Sequence, residues 1–169
     1  MADVEASNSG AGAGAGHESG IRDPLTGLLG PEVWRVLIAA ESDRCRRYDR
    51  PAAVVLAQIV GLDEVRRELG SDIADVIVVA AGRVLRAESR SSDYVARLVE
   101  DRFGILLTET DEVTAINMVE RIRERCEEQM QREKAESRVS FGWAGATTSR
   151  TLVDAVVLAA DRLDREAAG

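Results

Sequence analysis

Residues 52–59 (AAVVLAQI) follow Pro51, have the length of a strand, and are apolar at seven of eight positions. A strand in a half-solvated sheet alternates apolar with polar side chains, so an almost unbroken apolar run implies a strand with protein on both faces. The rest of the chain must then supply cover for two faces of one sheet. The sequence has the material. Gly30-Pro31 opens a helix with proline in its first turn, and the apolar stripe runs through Trp34, Leu37 and Ile38, is interrupted by Glu41, and resumes at Cys45. A short helix, Leu62–Leu69, stops at Gly70. Ser71 is then placed to cap a long helix in which Ile73, Val76, Ile77, Ala80, Ala81, Val84 and Leu85 recur at helical spacing. Residues 94–98 and 103–107 are strand-like runs either side of a polar turn and predict a β-hairpin. A helix over 111–131, a strand over 137–144, and a closing helix lined by Leu152, Val153, Val156, Val157, Ala160 and Leu163 complete the order α-β-α-α-β-β-α-β-α. The expectation is an α+β fold, a central mixed sheet flanked by helices.

Residues 1–20 are rich in Gly, Ala and Ser and nearly free of large apolar side chains, which predicts a flexible tail ahead of one domain over 21–169. The only histidine, His17, falls in that tail. The domain is left with no imidazole for a zinc site or for a Ser-His or Cys-His pair. No window approaches the roughly 18 apolar residues of a membrane span, and no secretory leader is visible. Cys45 and Cys126 lack CxxC spacing and sit in helical patterns, which points to small buried hydrophobes in a reducing, cytoplasmic setting. The net charge of −8 argues against nucleic acid as a partner, although 21 of the 22 basic residues are arginine, the side chain suited to paired phosphate and guanine contacts.

Asp23-Pro24-Leu25-Thr26-Gly27-Leu28 resembles the opening D-x-L-T-G-L of the GGDEF (diguanylate cyclase) family, and Ser140-Phe141-Gly142-Trp143-Ala144 resembles its late S-x-G-x-A strand. Gly70, Asp75, Ala96-Arg97 and Ala160-Asp161 fall in order at matching spacing, so the resemblance covers nearly the whole domain and implies a nucleotidyl cyclase-like α+β fold. The signature itself departs from the family pattern. Val99-Glu100-Asp101-Arg102-Phe103 stands where the family has G-G-D/E-E-F. The resemblance implies that the family's glycines admit GTP close to the backbone and that its two magnesium ions are held by an aspartate ending the first strand and by the third signature residue. Here Val99 and Glu100 bring side chains, one of them anionic, into that space, and the metal positions are Gln58 and Asp101. Asp63 stands at a family lysine, Arg66 at the guanine-reading asparagine and Ala168 at a further lysine, while the second guanine-reading position keeps its acid, Asp75. Phosphoryl transfer is mostly positioning and electrostatic stabilisation, so these changes predict a non-enzyme with no catalytic residue, metal or cofactor.

A second family motif is intact. Arg90-Ser91-Ser92-Asp93 matches the product-inhibition R-x-x-D, five residues ahead of the signature, and Arg121 in Glu120-Arg121-Ile122-Arg123 matches the family's arginine on the next helix. Arginine offers paired N–H donors to phosphate or to the O6/N7 edge of guanine, and an aspartate accepts from guanine N1–H and N2–H₂. The leading expectation is a signalling module that binds cyclic di-GMP through Arg90, Asp93 and Arg121 and relays it to an effector protein, with a ligand-bridged homodimer as the form the resemblance implies. Two alternatives stay open. One is a nucleotide-independent interaction scaffold using Glu100 and Arg102; the other is a residual cyclase or GTP sensor using Asp101 and Asp75.

Overall fold

The computed structural model describes residues 21–133, 136–147 and 150–169. The expected tail and His17 lie outside the described residues. Among the described residues five helices and four strands follow the expected order: α1 (Pro31–Tyr48), β1 (Ala52–Val60), α2 (Leu62–Leu69), α3 (Ser71–Glu88), β2 (Tyr94–Val99), β3 (Arg102–Thr108), α4 (Glu112–Arg132), β4 (Arg138–Gly145) and α5 (Leu152–Ala168). The strands lie in the order β2-β3-β1-β4. The fold is α+β, as the sequence implies, but every pairing between these strands is antiparallel rather than mixed. The only parallel pairing among the described residues is an isolated bridge, Leu29 to Ala96.

β1 sits inside the sheet and faces two cores in alternation, as the period-two geometry of a strand requires. Ala53, Val55, Ala57 and Ile59 join Phe103, Ile105 and Phe141 under α2, α3 and α4. Ala52, Val54 and Leu56 face the other way, toward Trp34 and Ile38 of α1 and Leu152, Ala155, Ala159 and Leu163 of α5. Glycine sets two of the closest approaches. A Cβ on Gly104 would lie 2.8 Å from the Trp34 ring, and one on Gly142 would lie 2.5 Å from the Leu163 backbone nitrogen and also strike the Ala159 carbonyl.

Several sequence expectations are corrected. Glu41 does not break the α1 face: it is buried because Arg44 grips both its oxygens at 2.8 and 2.6 Å while also reaching Glu109 at 2.7 Å. Those bonds to Glu41 and Glu109 raise the Arg44 guanidinium pKa further. Ser71 is the first residue of α3 rather than its cap; Gly70, with φ 95°, is the N-cap. In α3 the buried residues are Ala74, Ile77, Val78, Ala80, Ala81, Gly82 and Leu85, whereas Ile73 and Val76 are exposed. In α5 the buried face runs through Ala155 and Ala159, leaving Val153 and Val157 exposed, since only small side chains let α5 reach Gly142. Cys45 and Cys126 are free and buried.

Candidate functional site

Two regions collect the residues singled out from the sequence. The first is the β2–β3 hairpin tip together with the end of β1 and the start of α2. Register pairs Gln58 of β1 with Arg102 of β3, and a shift between Arg97 and Val99 frees the tip to turn. The Gln58 amide donates to Asp101 Oδ2 at 2.7 Å, and the Ile59 N–H donates to the Asp101 carbonyl at 2.9 Å. Arg66 Nη1 donates to Glu100 Oε2 at 2.9 Å and lies 3.5 Å from Asp63. Arg102 donates to Asp164 of α5 at 2.9 Å, while Phe103 is fully buried and Val99 is exposed.

Asp101 is the single carboxylate here in line with β1, and its oxygen is taken up by an amide. Gln58 Oε1 is buried with no partner among the described residues, but an amide oxygen and one carboxylate do not fit a clamp for two magnesium ions. No group of three or more His, Cys, Asp or Glu side chains suited to a metal exists among the described residues. Asp75 lies on α3 and has no hydrogen-bond or ion-pair partner among the described residues.

The second region is the turn between α3 and β2. Asp93 is buried, at 4% exposure. Its Oδ2 accepts the Arg90 backbone N–H at 2.9 Å, and its own N–H donates to the Arg90 carbonyl at 3.1 Å, so the carboxylate closes the turn. Its Oδ1 is buried with no partner among the described residues. The exposed Arg90 guanidinium likewise has none. Arg121, exposed on α4, is held at this end of α3 by Glu88, with Nε to Oε2 at 2.8 Å and Nη2 to the Glu88 carbonyl at 3.2 Å. The fold therefore gathers Arg90 and Asp93 in one turn and fastens Arg121 to the helix end leading into it. A groove of about 790 Å³ reaches Asp93 and is lined also by Arg22, Leu29, Val33, Arg83, Arg86 and Ser91; Arg90 and Arg121 do not line it.

Sequence reasoning passed over the supporting roles of four residues. Arg86 donates to the carbonyls of Asp93 and Arg90 at 3.0 and 3.1 Å and braces the turn. Glu88 positions Arg121, a pairing across 33 residues that has no sequence signal. Asp23 and Arg97, only 15% and 12% exposed, form an ion pair at 3.1 Å that ties the opening loop to the hairpin. Burial alone would raise the Asp23 carboxyl pKa, but hydrogen bonds from Thr26 and the Arg97 charge outweigh it and hold the group below the usual carboxylate range. Arg97 also donates to the Glu100 carbonyl at 2.8 Å, so the same guanidinium shapes the hairpin tip.

The family model for the diguanylate cyclase, GGDEF domain matches residues 21–167. The probable diguanylate cyclase DgcC of Escherichia coli strain K12 is 30% identical over 103 residues, 61% of this chain and 28% of that protein. The chain thus spans little more than a quarter of that relative. The diguanylate cyclase SiaD of Pseudomonas aeruginosa, solved in complex with its activator SiaC, superposes with a TM-score of 0.76 at 24% identity, covering 89% of this chain and 59% of that one. The GGDEF domain of DgcB from Caulobacter crescentus, solved in complex with cyclic di-GMP, superposes with a TM-score of 0.75 at 14% identity, covering 86% and 88%. At these identities the two structures show a shared fold.

Proposed function

Since this chain belongs to the GGDEF family, related to diguanylate cyclases, we propose that it is a non-catalytic member that binds cyclic di-GMP at the α3–β2 turn and passes that signal to a partner protein. The observation that carries the reading is the contrast between the two regions. Around the hairpin tip the charges are spent on one another: Arg66 on Glu100, Gln58 on Asp101 and Arg102 on Asp164. A nucleoside triphosphate would have to displace the anionic Glu100 and would find one carboxylate for its metal ions, so the electrostatic stabilisation that phosphoryl transfer needs is missing.

At the turn two groups are unspent, the Arg90 guanidinium and Asp93 Oδ1, although Arg121 is paired with Glu88 and Asp93 Oδ2 with the Arg90 N–H. Arg90 has a guanidinium to offer a phosphate or a guanine edge, Arg121 is moored beside it, and Asp93 Oδ1 is a buried acceptor whose lack of a donor costs stability until a ligand N–H supplies one. The solved relative that holds cyclic di-GMP supports this ligand, and the relative complexed with an activator protein supports a protein partner. A ligand-bridged homodimer is one form such an output could take.

A second reading, a scaffold that needs no nucleotide, is favoured by one observation: Asp93 already closes its own turn through Oδ2. Thermal unfolding separates the two. A ligand at 100 times its Kd stabilises the fold by about 2.7 kcal/mol, so cyclic di-GMP raises the melting temperature of the wild type and leaves Arg90→Ala unmoved. No shift in either protein favours the scaffold. Magnesium-dependent GTP turnover or GTP binding would instead revive a residual cyclase or GTP sensor working through Asp101 and Asp75.

A further inference from the structure

The outward face of α3 carries Asp75 near one end and, near the other, Arg86, which braces the α3–β2 turn, with an exposed apolar stretch between them. α3 is 18 residues long, about 27 Å at the helical rise. Its sequence pattern promises a wider buried stripe than the sheet covers, and Val76, which that pattern assigns to the core, is 49% exposed. Val79, beside it, is half-buried. A groove of about 490 Å³ runs along this face past Leu25, Asp75, Val76, Val79 and Arg83, and is also lined by Gln129 and Glu133 at the end of α4.

The charges on the face are arranged about Val79. Asp75 lies four residues before it and Arg83 four residues after, each about 6 Å along the axis. Asp72 and Arg86 lie seven before and seven after. At 100° per residue all four fall within about 40° of Val79, on one side of the helix. Among the described residues Asp72, Asp75 and Arg83 have no hydrogen-bond or ion-pair partner, while Arg86 braces the turn. An acid half followed by a basic half has a particular consequence. Laid antiparallel on a copy of itself across a two-fold axis at Val79, the face meets its own complement, since in an isologous contact residue i touches j and j touches i.

We propose that α3 is a homodimer interface: two copies of this chain pair α3 against α3 antiparallel, with Val76 and Val79 at the centre and Asp75 of each copy against Arg83 of the other. The contact uses neither Arg90, Arg121 nor any nucleotide, so it stands apart from the proposed cyclic di-GMP site.

Sedimentation equilibrium of the nucleotide-free chain tests it, with circular dichroism to verify that each variant is folded. The wild type forms a reversible dimer that weakens with salt. Asp75→Arg or Arg83→Asp alone turns two attractions into two repulsions and weakens dimerisation about tenfold or more. The double variant Asp75→Arg/Arg83→Asp restores the dimer, and an equimolar mixture of the two single variants forms a heterodimer, because their charges are opposite on this face. A wild type that stays monomeric up to about 1 mM, a dimer indifferent to either single change, or single variants that neither the double change nor mixing rescues would each overturn the assignment.

Discussion

Gly142→Ala places a Cβ where β4 and α5 meet backbone to backbone. That atom would lie 2.5 Å from the Leu163 nitrogen and 2.9 Å from its Cβ, and would strike the Ala159 carbonyl. Unstrained contacts between such atoms need about 3.5 Å, so α5 must retreat by at least about 1 Å. No side-chain rotation relieves the clash, because two of the three atoms met belong to the helix backbone. The retreat also pulls at what α5 holds: the Phe141 N–H donates to Glu166 at 3.2 Å, Arg123 donates to Glu166 at 2.6 Å, and Arg102 reaches Asp164 at 2.9 Å. Overpacking costs about 1–3 kcal/mol when side chains can yield, and a rigid backbone contact belongs at the upper end, about 3 kcal/mol. For a domain of this size each kcal/mol moves the melting temperature by about 2–4 °C, so calorimetry is expected to show a fall of about 6–12 °C. Hydrogen exchange is expected to accelerate first in α5. A variant melting within about 2 °C of wild type would refute the reasoning that α5 rests on Gly142.

Three further outcomes are expected. Asp23 has a lowered folded-state pKa, so its contribution is fully present above the unfolded value near 3.8 and is lost as pH falls through the lowered folded value; Asp23→Asn should cost about 1–3 kcal/mol at neutral pH and flatten the acid limb of a stability–pH curve, and an unchanged limb would contradict this. Burial pushes the Cys126 thiol up to about 12 and raises Cys45 as well, so neither should react with a thiol reagent at pH 8 until the protein unfolds; fast labelling of the native state would contradict it. Arg97→Ala removes both the Asp23 pair and the grip on the Glu100 carbonyl, and should lower stability by about 1–3 kcal/mol, which urea unfolding would detect; a midpoint equal to wild type would show that the pair is idle.

The order of elements was legible because each boundary carried a local signal: Pro31 opening α1, Gly70 between α2 and α3, Asp111 accepting from the Thr114 N–H at the start of α4. The faces were less legible. Periodicity ranks Val153 and Val157 above Ala155 and Ala159, yet the alanines are buried, since the deciding contact is with Gly142 on a strand that precedes α5 and no helical pattern encodes it. Glu41 reads as an interruption in the sequence, but Arg44 neutralises it by holding both its oxygens, with a third guanidinium nitrogen on Glu109. The antiparallel sheet was also hidden, because hydrophobic runs specify strands and not their directions. At the candidate site the residue types of the turn could be read, but not that Glu88 and Arg86, 33 residues before Arg121 and four before Arg90, would moor them.

Calorimetric titration of the whole chain with cyclic di-GMP, beside Arg90→Ala and a magnesium–GTP control, is the most direct test of the central claim. The account expects binding of the dinucleotide at a Kd of about 1 μM or tighter, lost in Arg90→Ala, with no heat from GTP. No heat from cyclic di-GMP, or an affinity that survives Arg90→Ala, would contradict it.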